Sequence, residues 1–111
     1  MAKPLRSYSR QNIEAVEFFA EMIRAGRIER KITTRDMARR AGVSRTLLQR
    51  IEEGDPRCAI GAVFEVAVIA GVPLFETDPY RLQAHRAALR EKLSLLPQHA
   101  RKSKRVIHDD F

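Results

Sequence analysis

The apolar and polar positions of the chain divide it into helical stretches joined by short polar connections. Ile13, Val16, Phe19, Ala20 and Ile23 fall at helical spacing, which predicts a first helix from about Asn12 to about Arg30. Gly26 lies inside that span and costs about 1 kcal/mol against alanine, so its presence predicts the close approach of another helix rather than a stop. Phe18, Met22 and Ile28 lie off the stripe and either broaden the core face or form an exposed contact surface. Met37, Ala38 and Ala41 mark a short second helix from Thr34 to Ala41. Thr33 and Asp36 have the spacing of a reciprocal N-terminal cap, and Gly42 stands where a left-handed terminal residue is expected. Val43 plugs the corner, Ser44 caps a third helix, and Leu48 and Ile51 point inward from it.

The next apolar run, Ile60 to Ala70, reads as a buried helix with Glu65 as its one charge. Ala59 to Phe75 does not suit a membrane span, being too short and interrupted by Glu65, Gly71 and Pro73. Val68 and Ile69 add two apolar positions that need a cover. Asp78 and Pro79 form a start signal for a last helix running to about Leu95, ended by Leu96 and Pro97. Its stripe of Leu82, Leu89, Leu93 and Leu96 is suited to closing the core, to pairing with a symmetry mate, or to both. The pattern therefore predicts an all-α bundle of about five helices. It also predicts an N-terminal arm over residues 1–11, a unit holding the two short helices over 12–75, a core or dimer helix 76–96 and a flexible tail 97–111.

Composition narrows the function. The 111 residues carry a formal charge of +7, with 13 basic against 8 acidic side chains in residues 1–57 and 8 against 6 in residues 58–111. That surplus fits an anionic partner and sits mostly in residues 1–57, the half that holds the second and third helices. One cysteine excludes an internal disulfide and suits a reducing cytoplasm, and no apolar run follows the basic Met1–Arg10 stretch as a signal peptide would require. His85, His99 and His108 share no ligand spacing, so neither metal nor cofactor is expected. No nucleophile, base and orienting group come together in a motif, which argues against catalysis. Cys58 beside Arg57 is either a small half-buried residue or a thiol of lowered pKa.

The outward side of the third helix carries the candidate chemistry. Arg45, Thr46, Gln49 and Arg50 offer the donors and acceptors that match base edges in the major groove, arginine with guanine and glutamine with adenine. Thr34, Arg35, Ser44, Arg57 and the arginines of the first helix are placed to hold phosphates. Two short helices around a glycine corner are the arrangement of a helix-turn-helix. Ala38, Gly42, Val43, Ser44, Ile51, Glu52 and Gly54 resemble the Xre or λ-repressor-like family at matching offsets, as do Ile23, Arg24, Arg27 and Ile32 before them. That resemblance implies a λ-repressor-like fold, double-stranded operator DNA as ligand and a homodimer.

A narrower resemblance rests on Gly54–Cys58 (GDPRC), Ile60–Glu65 (IGAVFE), Val72–Phe75 (VPLF) and the ending Asp109, Asp110, Phe111. These are similar to small antitoxins of the HipB type, and imply a cytoplasmic, nucleoid-associated bacterial autorepressor that neutralises a HipA-like kinase. Ala59 departs from the capping Ser or Thr of those relatives. The tail runs through Arg101, Lys102, Lys104 and Arg105 to Val106, Ile107, Asp109, Asp110 and Phe111. It is either disordered or an anchor that orders on the kinase. A stand-alone repressor with the same DNA surface, and an interaction module with no specific DNA site, are the alternatives.

Overall fold

A computed structural model of the chain describes residues 7–100 and contains five α-helices and no strand among them. In order these are α1 (Arg10–Glu29), α2 (Thr34–Ala41), α3 (Arg45–Glu52), α4 (Ile60–Ala70) and α5 (Pro79–Leu95). The chain divides into two units after Phe75, with α1 to α4 in the first and α5 in the second.

Local chemistry sets most of the boundaries. Thr33 Oγ1 accepts from the Asp36 amide at 3.1 Å and Ser44 Oγ accepts from the Leu47 amide at 3.0 Å, so α2 and α3 each start on a hydroxyl cap. Gly42 closes α2 at φ 70°, a left-handed conformation that costs a residue without Cβ nothing. The reciprocal half of the expected cap on α2 is replaced by a different contact: the Asp36 carboxylate pairs with Arg39 and with Arg40, the latter at 2.9 Å. Helix α1 begins two residues earlier than its apolar stripe predicts, because Ser9 Oγ accepts from the Asn12 amide at 3.1 Å and caps it there. Helix α4 has Ala59 as its N-cap and so begins without any side-chain cap.

The core of the first unit is built on Ile23, Met37, Leu48 and Val66, all fully buried, with Ile32, Ala38, Ile51, Ala67, Ala70 and Val72 around them. Helix α4 packs against α1 and α2, and α3 packs against α2 and α1. The off-stripe residues of α1 divide: Met22 packs on the core, whereas Phe18 and Ile28 stay exposed. Of the two extra apolar positions on α4, Ile69 finds the core and Val68 remains 58% exposed. Ile13 was expected on the buried stripe but is 40% exposed, since the stripe extends beyond the core's end. In the second unit, Asp78 Oδ1 accepts from the Tyr80 amide at 3.0 Å and Pro79 occupies the first turn of α5. None of the α5 residues is buried, and Leu82, Leu89, Leu93 and Leu96 are exposed.

Two long-range contacts hold α3 and α4 to α1. A Cβ added at Gly26 would lie 2.3 Å from the Ala70 carbonyl oxygen, so glycine at this point is what lets α4 end against α1. One turn position later, Arg27 turns inward. Its Nε donates to Glu52 Oε2 at 2.7 Å, one terminal nitrogen to Glu52 Oε1 at 3.1 Å and the other to the Ile32 carbonyl at 3.0 Å.

Helix propensity alone would make Gly26→Ala stabilising by about 1 kcal/mol. The close carbonyl reverses the sign, and the variant is expected to lose on the order of 1–3 kcal/mol in urea denaturation through overpacking. A more stable variant would contradict the α1–α4 contact.

Candidate nucleic-acid interface

Leu48 and Ile51 are buried on the inner side of α3, and Glu52 is drawn inward by Arg27, so the opposite side of this eight-residue helix must face out. Thr46 is exposed there, and Arg45 and Gln49 are exposed on the flank next to Glu52. Together with Thr34 at the start of α2, Arg24 of α1 and Glu53 they line a groove of about 410 Å³ between the three helices. Among the described residues Arg45 forms no ion pair. Gln49 Nε2 donates to Glu53 Oε2 at 3.1 Å.

The candidate phosphate contacts sit at helix starts. Thr34 and Arg35 are exposed in the first turn of α2, and Ser44 is exposed at the cap of α3. Its oxygen receives the Leu47 amide, which leaves the hydroxyl hydrogen free to donate. The N-termini of both helices also present backbone N–H groups and the positive end of the helix dipole, suited to an anion. Arg27, expected among the phosphate-holding arginines of α1, is instead spent on Glu52. Asp36 holds Arg39 and Arg40, and the Arg39 hydrogen bond is the main reason its carboxyl lies below the usual carboxylate range.

Arg50 and Arg57 share a partner that the sequence pattern does not reveal. Asp55 Oδ2 accepts from Arg50 Nε at 3.0 Å and from Arg57 Nη2 at 3.0 Å. Oδ1 accepts from Arg57 Nε at 3.0 Å and from the Arg57 amide at 2.9 Å. The Arg57 hydrogen bonds hold the Asp55 carboxyl far below the usual carboxylate range, and Asp55 in turn raises Arg57. Arg50 is thus tied to the loop after α3 rather than standing free beside Arg45 and Gln49. The cluster of two guanidiniums and one carboxylate keeps one surplus positive charge at the helix end. Cys58, next along, is half-buried, and burial pushes its thiol up, which contradicts the lowered pKa considered for it. Val106, Ile107, Asp109, Asp110 and Phe111, the candidate partner anchors, lie outside the described residues, as do Lys3 and Arg6 of the arm.

The sign of the Asp55 effect on stability follows from its depressed pKa. Its contribution is complete above the ordinary value of 3.8 and is lost as pH falls below that, through the folded-state value. Asp55→Asn is therefore expected to melt below the parent at pH 7, with the gap narrowing in the acid range. A gap that is constant with pH would contradict this role.

The comparisons agree with the geometry. The helix-turn-helix domain family matches residues 19–79, more than half of the chain, and covers α1 from its middle through the start of α5. No curated protein matches the chain, and no solved structure does. With a capped, glycine-cornered pair of helices under that match, the chain belongs to the helix-turn-helix domain family.

Proposed function

We propose that the protein is a sequence-specific regulator that binds operator DNA as a homodimer and acts as the antitoxin and autorepressor of a HipA-like kinase operon. The observation that carries the DNA half is the groove face of α3. There Arg45, Thr46 and Gln49 stand exposed beside Thr34, with the inner side of the helix pinned by Leu48, Ile51 and Glu52. In the major groove, Arg45 pairs with guanine and Gln49 with adenine, while Thr46 meets a thymine methyl or a phosphate. Thr34, Arg35 and Ser44 grip one backbone strand at the two helix starts. The Asp55 cluster offers Arg57 and, after rotation off the carboxylate, Arg50 to the strand or base beyond the far end of α3.

The antitoxin half is supported by the motifs Gly54–Cys58, Ile60–Glu65 and Val72–Phe75, and by apolar surface suited to protein partners. Phe19 and Phe64 line a groove between α1 and α4 and meet edge-to-face at 6.3 Å, and Phe64 in turn meets Phe75, which is 90% exposed, at 6.1 Å. The exposed leucines of α5 supply a second such face, suited to pairing two copies over neighbouring half-sites.

Arg45→Ala is expected to cost about 1–3 kcal/mol on the best site and to relax base choice at one position, whereas Arg57→Ala weakens all duplexes alike and flattens the salt dependence. Titration of operator and random duplexes at two salt concentrations checks this, and a uniform loss for both variants would contradict the assignment. Deleting residues 97–111 is expected to leave operator binding largely intact and to weaken co-purification with the kinase, whereas the reverse outcome would make the tail a DNA arm or a dimer strap.

A further inference from the structure

Glu53 follows α3 at φ −90° and ψ −4°, so the helical turn continues through it and Arg45, Gln49 and Glu53 form a row at i, i+4 and i+8. All three are exposed and line the same groove. The neighbouring carboxylate, Glu52, is turned inward to Arg27, while the hydrogen bond that Glu53 accepts at 3.1 Å comes from Gln49. We propose that Glu53 is a specificity-determining residue of the DNA surface: it positions Gln49 and tolerates beside it only a base that offers an amino group in the major groove. The proposal rests on the DNA-binding reading above.

The chemistry along the row is graded. Arg45 can only donate, Gln49 can donate and accept, and an ionised Glu53 can only accept. With one N–H of Gln49 given to Glu53, the amide keeps its second N–H and its carbonyl, the pair that adenine N7 and N6 match. The second Glu53 oxygen then faces the next base edge. Cytosine N4 and adenine N6 place a donor there, whereas guanine and thymine place acceptors whose lone pairs repel a carboxylate. Successive members of the row stand about 6 Å apart along the helix axis, so they address successive positions on the duplex rather than one base pair. A carboxylate facing DNA is repelled by phosphates at every sequence. That repulsion is offset only where an amino group meets it, so Glu53 acts by rejecting wrong sites.

The test is selection of binding sites from a randomised duplex pool by the full chain, by Glu53→Gln and by Glu53→Asp, with circular dichroism melts of each. The parent is expected to enrich adenine or cytosine and to deplete guanine and thymine at the position flanking the Gln49 base. Glu53→Gln is expected to relax that discrimination roughly tenfold and to bind random duplex several-fold tighter, with an unchanged melt. Glu53→Asp, which keeps the charge but falls short, loses the discrimination without gaining random-duplex affinity. Unchanged base preferences in Glu53→Gln would overturn the proposal while leaving the DNA-binding reading standing, and so would a loss of preference matched by a loss of helix. A parent chain that enriches no sequence at all would overturn both.

Discussion

The arrangement of the first unit depends on one buried ion pair, Arg27 with Glu52. The two side chains are 12% and 8% exposed, and the guanidinium's other terminal nitrogen donates to the Ile32 carbonyl. A charge pair removed from water to that degree holds only while its geometry is complete, and removal of one partner from such a pair typically costs about 3–5 kcal/mol. Helix α3 has only eight residues, too few to be stable or oriented by itself. Its roll about its own axis is therefore imposed from outside. Leu48 and Ile51 fix the apolar side, and Glu52 adds a directional contact that a hydrophobic patch cannot supply. With Glu52 held against α1, the helical period leaves Thr46 on the outer side and Arg45 and Gln49 on the flank that borders the groove.

That constraint also sorts the positive charge. The chain carries 21 Lys and Arg residues against 14 acids, yet the excess alone does not say which cations meet a partner. Arg27 belongs to the fold, Arg39 and Arg40 are committed to Asp36, and Arg50 and Arg57 divide Asp55 between them. The groove face keeps Arg45, whose guanidinium is not engaged by any carboxylate among the described residues. Exposed pairs such as Arg57–Asp55 are cheap to exchange for a phosphate, whereas the Arg27–Glu52 pair is not, so burial separates the structural arginines from those available to a ligand.

What the sequence made legible was mostly local. Thr33, Ser44, Gly42 and the Asp78–Pro79 pair act within a few residues of themselves, so the limits of α2, α3 and α5 could be read from spacing alone. Gly26 was legible for a different reason: a helix that carries a costly residue in its interior signals a neighbour, and Ala70 is that neighbour. The Ser9 cap was hidden because it lies in a polar stretch before any apolar residue marks a helix. The partner of Arg27 was hidden because it is tertiary. Nothing in the one-dimensional pattern distinguishes Arg27, which meets an acid 25 positions away, from Arg24, which lines the groove.

On the proposed reading, the outer face of α3, with the helix starts beside it, meets DNA. Amide chemical-shift mapping of the full chain during titration with its selected duplex tests that most directly. The account predicts the largest shifts at Thr34, Arg35 and from Ser44 through Gln49, with little change in the middle of α4. Shifts concentrated on the apolar groove of Phe19 and Phe64, with α3 silent, would contradict it.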